Sequence, residues 1–428
     1  MRTIIHERFR GSAAAKSAEP ILRACVHCGF CNATCPTYLQ LGDERDGPRG
    51  RIYLIRQLLE NGQATERTRR HLDRCLTCRN CETTCPSGVR YGRLLDIGRG
   101  ILERDLNRPM PEKLQRRMIE FIVPHPRRFA FVLGLARALR FLLPSALRAR
   151  VPRSDGWPGV RNRRIDTRPT STRKGAAATT RRMIVLEGCA QSVATPATNL
   201  AAKRVLERLG ITVFSARQAG CCGALHYHLG DHADGKDFMR ANIDAWWPHL
   251  ERGAEAIVIT ASGCAATIRD YGEILADDPE YAKKAQRIAS LTRDILEVVR
   301  DAGIGELALT PISERVAVHC PCTLQHAQRL GVSLEDLLAS LGFDLVRTAE
   351  KHLCCGSAGS YSLLQPTLSG QLRDRKLAAL TTDSPDVILT GNVGCQMHLA
   401  TGTDVPVRHW IEAIDASLEP AEEPSDSK

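Results

Sequence analysis

Long apolar runs, a leader segment and a nucleotide fingerprint are all missing from this chain. No run of about 18 or more apolar residues occurs, which argues against a membrane-spanning helix. The first residues, Met1-Arg-Thr-Ile-Ile-His-Glu-Arg8, contain no apolar core of the kind a signal peptide needs, so a cytoplasmic protein is expected. No G-x-G-x-x-G follows a strand-like segment, so nothing points to a dinucleotide bound by this polypeptide itself. Aromatic residues are sparse at 5%, although apolar residues reach 43%, enough for buried cores. Acids are locally scarce too. Between Arg127 and Arg182 arginines recur while acids almost vanish, and much of the net charge of +11 collects there. At 428 residues the chain predicts about two to four domains.

Cysteine, in contrast, is abundant, with 17 residues, and eight of them form two copies of one spacing. The first copy is Cys25-Val-His-Cys28-Gly-Phe-Cys31-Asn-Ala-Thr-Cys35-Pro36. The second is Cys75-Leu-Thr-Cys78-Arg-Asn-Cys81-Glu-Thr-Thr-Cys85-Pro86. This C-x₂-C-x₂-C-x₃-C-P run is the ferredoxin ligand pattern for [4Fe–4S] clusters. Three thiolates at that step wrap one face of a cluster, and in two-cluster ferredoxins the fourth cysteine reaches across to the other cluster. The expected ligand sets are therefore Cys25, Cys28, Cys31 and Cys85 for one cluster, and Cys75, Cys78, Cys81 and Cys35 for the other. A zinc ribbon needs only two CxxC pairs and has no use for the third cysteine and the x₃-C-P ending. Disulfides need an oxidising compartment, which the expected cytoplasmic location does not offer. The pattern predicts a protein that moves electrons one at a time.

The basic stretch has two parts. Residues 129–143 read as an amphipathic basic helix ended by Pro144, and residues 151–182, rich in Pro, Gly, Ser, Thr and Arg, read as a linker. The helix is expected to pack on its own core or on a partner subunit in preference to a membrane surface, because one basic helix alone binds membranes weakly. Nucleic acid is not expected, since no recognised binding motif accompanies the charge.

From about Met183 the pattern turns to strands alternating with helices, and it runs twice. Strands over Met183–Glu187, Ile211–Phe214 and Ala256–Thr260 lead respectively into Cys189, the triplet Cys221-Cys222-Gly223, and Cys264. The second pass has Val316–His319 before Cys320-Pro-Cys322, Asp344–Arg347 before Cys354-Cys355-Gly356, and Val387–Thr390 before Cys395. Cysteine offsets of 131, 133 and 131 residues mark an internal duplication. Each copy predicts a parallel sheet, with its cysteines beyond the carboxyl ends of the strands, where open α/β sheets collect ligands. Two candidate redox or metal sites follow: Cys189, Cys221, Cys222 and Cys264, and Cys320, Cys354, Cys355 and Cys395. Cys322 and His398 are extra candidate ligands in the second copy. His226, His228, His326 and His352 are further candidates for moving protons, against the ordinary role of surface or satisfied histidines.

Together these features resemble the iron–sulfur subunit of bacterial glycolate oxidase. The resemblance is carried by Ile21-Leu-Arg-Ala-Cys-Val-His-Cys-Gly-Phe-Cys31, Asp46-Gly-Pro-Arg-Gly-Arg-Ile-Tyr-Leu-Ile55 and His71-Leu-Asp-Arg-Cys75 with its continuation to Tyr91. It extends through Asn242-Ile-Asp-Ala-Trp-Trp-Pro248, His319-Cys-Pro-Cys322, His352-Leu-Cys-Cys-Gly356 and Val407-Arg-His-Trp-Ile-Glu412. It implies an α+β protein: a mostly helical two-[4Fe–4S] ferredoxin-like domain (1–115), the basic helix and linker (116–181), and two duplicated α/β parallel-sheet "CCG" cysteine-rich domains (182–305 and 306–428). It also implies an electron-transfer role in a glycolate dehydrogenase complex. FAD sits only on a partner subunit that oxidises glycolate to glyoxylate, with a second flavoprotein-like subunit beside it. A quinone or another carrier takes the electrons, and any membrane contact is peripheral, on the cytoplasmic face of the inner membrane. The alternatives are the equivalent subunit of an anaerobic glycerol-3-phosphate or D-lactate dehydrogenase, and a stand-alone ferredoxin-like carrier. CCG domains that hold noncubane clusters end in a Cys-x-x-Cys pair. Here the pair reads Cys264-Ala-Ala-Thr267 and Cys395-Gln-Met-His398. A further metal or Fe–S centre in these domains is therefore left open, as is a thiol–disulfide pair.

Overall fold

A computed structural model of the chain describes residues 3–142 and 181–418, apart from 308 and 311. Helix Ala13–Ala24 begins at Ser12, whose hydroxyl accepts the Ala15 N–H. Helix Pro48–Asn61 opens on a proline and stops at Gly62, in the left-handed conformation that lacks a steric cost for glycine. With Glu66–Asp73 and Tyr91–Asp105 these helices enclose a core of aliphatic residues, among them Leu22, Ile55, Leu59, Leu72, Leu94 and Leu95. The first cysteine motif leaves the end of Ala13–Ala24 and the second leaves the end of Glu66–Asp73, so one helical core holds both.

Helices Met110–Ile122 and Pro126–Ala138 then form a hairpin that runs across residue 115, the expected end of the first domain. Its inner face buries Ile119 and Leu133. On its outer face Met110, Leu114, Met118 and Phe121 recur at helical spacing and stand in solvent, as do Phe131 and Leu135. The Arg128 guanidinium stacks 3.8 Å from the Phe121 ring centroid, tying the two helices together. The expected helix over 129–143 therefore begins earlier, at Pro126. Pro144 and most of the expected linker lie outside the described residues.

The two repeats have the same topology. In the first, β1 (Arg181–Leu186), β2 (Ile211–Phe214), β3 (Ala256–Ile259) and β4 (Thr292–Asp294) form a parallel sheet in the order β2-β1-β3-β4. In the second, β5 (Val316–His319), β6 (Val387–Thr390) and β7 (Val407–His409) are parallel in the order β5-β6-β7. The strand expected at Asp344–Arg347 is reduced to a single parallel bridge from Leu345 to Val316. It lies at the outer edge of the sheet, and its side chains are exposed or only half-buried. The short strands β4 and β7, not anticipated from sequence, close the opposite edges.

The repeats are not separate bodies. One apolar core contains Val185, Val205 and Val258 of the first copy together with Val316, Val318, Leu389 and Trp410 of the second. Helix Pro196–Arg208 packs against helix Trp410–Ser417 across this junction, where Thr198 Oγ1 donates to Glu412 at 2.5 Å. Among the described residues no helix is long and apolar enough to cross a membrane.

Candidate functional site

The two N-terminal cysteine loops are built alike. His27 and Gly29 in the first, and Thr77 and Arg79 in the second, take left-handed backbone conformations that turn the cysteines inward. Each loop continues into a short helix, Phe30–Ala33 or Asn80–Thr84, which delivers Cys35 or Cys85. The matching residues Thr34 and Thr84 meet hydroxyl to hydroxyl at 3.0 Å, so the two motifs face each other about a local two-fold axis. Across that axis the fourth cysteines exchange. Cys85 is the charged neighbour of Cys25 and Cys31, whereas Cys35 is the neighbour of Cys78 and Cys81.

The electrostatics of these places favour a bound cation. Burial pushes the Cys31 thiol up to about 11, and the nearby Cys25 raises it further. Burial likewise holds Cys78 and Cys81 well above the ordinary thiol value. Thiols crowded this way ionise readily only when a metal centre supplies positive charge. The donor set of eight sulfurs, without carboxylate or imidazole, fits iron–sulfur ligation. Several groups address the sulfurs directly. Tyr91 Oη donates to Cys75 Sγ at 3.5 Å, the Val89 N–H to Cys85 Sγ at 3.5 Å, and the Thr37 hydroxyl lies 3.3 Å from Cys35 Sγ. The two places differ in access. Cys28 is the one exposed cysteine of the 17, flanked by Val26 and Phe30, both more than 60% exposed. The second motif is enclosed by the repeats: Asn80 donates to the His352 carbonyl, and Thr83 Oγ1 lies 3.0 Å from His326 Nδ1.

In the first repeat the four expected thiols come together. Hydrogen bonds from Cys221 and Cys264 pull the Cys222 thiol well below its ordinary value. Cys221 is pushed up, first by its bond with Cys189 and then by Cys222. The glycine of each Cys-Cys-Gly triplet has a strict backbone role. Gly223 and Gly356 have φ of +81° and +88°, and a Cβ would come within 2.5 Å of the Gly235 carbonyl oxygen and 2.6 Å of the Ser369 carbonyl oxygen, respectively. Only glycine lets the cysteine pair turn this tightly against the next helix.

In the second repeat the structure departs from the expected set. The hydrogen-bonded thiols run Cys322–Cys354–Cys355–Cys395, with Cys322 and Cys354 sulfurs 3.8 Å apart. Cys320 stands apart in the shared apolar core. The pleat of β5 explains this. Val316, Val318 and Cys320 project to one side, into the core, while Ala317 and His319 project to the other, toward Cys355 and Cys395. His319 was thus missed as a site residue although strand alternation places it there. Of the expected histidines, His228 and His398 line the central cavity. His228 is paired with Asp96 at 2.9 Å, and burial holds His398 down at about 4. His326 bridges Thr83 and the His352 carbonyl, and His226 stacks on Phe238.

These centres share one space. A cavity of about 1040 Å³ is lined by every cysteine of the two repeats except Cys320, and by Cys75. Ile119, Phe129 and Leu133 of the hairpin also line it. Cys78 and Cys322 are close enough for the charge of one to raise the other, so the second N-terminal motif adjoins the second repeat.

Comparison with known proteins agrees with this layout. Residues 21–89 match the 4Fe-4S dicluster domain family, and residues 183–269 and 316–400 each match the Cysteine-rich domain family. The chain is 50% identical to the glycolate oxidase iron-sulfur subunit of Escherichia coli strain K12, over 98% of this chain and 100% of that protein. This chain belongs to the glycolate oxidase iron–sulfur subunit family. The probable glycolate oxidase iron-sulfur subunit of Bacillus subtilis strain 168 is 29% identical over 90% of both chains. Lactate utilization protein A of Bacillus velezensis is 30% identical but matches only 50% of this chain, and 90% of its own length. The family's dicluster match covers both N-terminal motifs, and its two Cysteine-rich matches cover the thiol sets around the cavity.

Proposed function

We propose that this chain is the iron–sulfur electron-transfer subunit of a complex that oxidises glycolate to glyoxylate on an FAD-binding partner. A second flavoprotein-like subunit stands beside that partner, and a quinone or another carrier accepts the electrons. Cys25, Cys28, Cys31 and Cys85 hold one [4Fe–4S] cluster, and Cys75, Cys78, Cys81 and Cys35 hold the other. The observation that carries this reading is the crossed exchange of Cys35 and Cys85, which sets two all-sulfur sites side by side. Each cluster, when bound, exchanges one electron at a time, so a reduced flavin is drained in two steps. The exposed Cys28 loop leaves the first site open to an electron donor. The enclosed second site adjoins Cys322 and so leads toward the cavity. The chain is cytoplasmic, and the outer face of the hairpin holds it peripherally at the inner membrane. A lactate-oxidising complex is the second reading, and it is the weaker one because the lactate utilization relative matches half the chain.

The test is anaerobic purification of the full chain, which should carry about eight irons in two clusters. Cys35→Ser should disturb the paramagnetic signal of the cluster held mainly by the second motif and leave the other unchanged. Damage confined to the first motif's cluster would refute the crossed ligation, and glycolate turnover by this polypeptide alone would refute the division of labour.

A further inference from the structure

We propose that His319, Cys355 and Cys395 bind a single soft divalent cation of the zinc class. One ring nitrogen of His319 and the Sγ atoms of Cys355 and Cys395 all lie within 4.8 Å of one another. A tetrahedral zinc, with sulfur at ~2.3 Å and nitrogen at ~2.0 Å, holds its donors about 3.5–4 Å apart, so this triplet closes on a cation with little movement. An iron–sulfur cube spreads its cysteine sulfurs farther, and among the described residues the eight N-terminal cysteines form no triplet this tight.

His319 is poised as a ligand. It is 1% exposed, and its Nδ1 lies 2.9 Å from Thr390 Oγ1 at the end of the neighbouring strand. Its Nε2 is buried with no hydrogen-bond partner. An Nδ1–H donated to the threonine hydroxyl leaves the lone pair on Nε2, the form in which imidazole binds a metal. A nitrogen buried without a partner is destabilising unless something occupies it. Two thiolates neutralise a dication, so the filled site adds no net charge to the interior. Cys355 and Cys395 line the cavity, which leaves the fourth position open on that side, beside Cys354. The first repeat lacks this arrangement, because Gly188 stands at the position matching His319. The inference is independent of the electron path proposed above.

The test uses the full chain with its clusters assembled anaerobically and then loaded with cobalt(II). A single bound cobalt with thiolate charge-transfer absorption is expected. His319→Ala and Cys395→Ser should each abolish that absorption while the cluster spectra persist. His319→Cys, which keeps a ligand in place, should retain the cobalt with stronger thiolate absorption. Thr390→Val, which frees the imidazole from its hydroxyl, should weaken binding by about tenfold. Undiminished cobalt with an unchanged spectrum in both His319→Ala and Cys355→Ser would overturn the proposal. Iron beyond about eight per chain that disappears in Cys355→Ser would overturn it too, since the set would then hold a cluster.

Discussion

Arg51 is wholly buried, and its guanidinium stands among groups that carry or attract negative charge. Its Nε donates to the His71 carbonyl at 2.7 Å, its Nη1 to Thr37 Oγ1 at 3.1 Å, and its Nη2 pairs with Asp46 at 3.5 Å. Cys35 and Cys75, assigned above to the second cluster, are close enough to act on its charge. Reduction adds negative charge to a cluster, and a fixed buried cation stabilises that state, so it raises the potential. Arg51→Met should therefore lower the reduction potential of the second cluster and leave the first unchanged, as read by redox titration of their paramagnetic signals. Equal potentials in variant and native chain would refute this role. The substitution also removes one partner of Asp46, although Arg74 and His71 remain at 2.9 Å each, and should cost about 3 kcal/mol of stability. Residue types and spacing made the eight N-terminal ligands legible. Nothing in the spacing singled out Arg51, because its role depends on a helix facing both loops.

At the scale of elements, the hairpin of Met110–Ile122 and Pro126–Ala138 is the clearest case of one element serving two surroundings. Its inner face closes the cavity, while Met110, Leu114, Met118, Phe121, Phe131 and Leu135 remain exposed on the outside. Charge divides the same way. Glu112 turns inward to Arg108 and Arg116, and Glu120 is half-buried, whereas Arg117, Arg127 and Arg128 face solvent. An apolar stripe edged with arginines suits an anionic lipid surface. The full chain should co-sediment with vesicles of phosphatidylcholine and phosphatidylglycerol but not with phosphatidylcholine alone. The double substitution Arg127→Glu, Arg128→Glu should reduce the bound fraction by about tenfold or more. Binding that ignores phosphatidylglycerol, or survives the charge reversal, would assign this face to a protein partner. The basic helix was visible in sequence, but its packing was only half anticipated, since composition does not say which side of a helix a neighbour will cover.

At the scale of the molecule, the repeats are joined through buried polar contacts as well as apolar ones. His409 Nε2 lies 2.9 Å from the Thr260 carbonyl, and Gln328 Nε2 donates to Asp294 at 3.0 Å. Glu412, which accepts from Thr198 of the other repeat, is pushed up by burial from 4.5 to about 7. A carboxyl whose folded value is raised contributes stability that is fully present below its unfolded value and is lost as pH rises through the folded one. Stability should therefore fall between about pH 4.5 and 7 through this group. Glu412→Gln, which cannot ionise, should be more stable than the native chain by about 2 kcal/mol above pH 7, with the difference vanishing near pH 4.5. Thermal unfolding of both proteins across that range measures it, and a difference independent of pH would exclude the ionisation.

The sequence by itself determined the two cluster motifs, the duplication and the parallel-sheet character of its copies. Each of these is written in short-range spacing: cysteines two and three residues apart, strands a few residues long, and offsets near 131 residues. Tertiary structure alone decided what meets what. The second thiol set took Cys322 and His319 and left Cys320 in the core because a pleated strand sends alternate residues to opposite faces. The two copies share one core because neither sheet covers its apolar face alone, so helices Pro196–Arg208 and Trp410–Ser417 close over both. Contacts between residues hundreds of positions apart, such as Asn80 with His352, follow from how finished elements pack, and no local pattern encodes that distance.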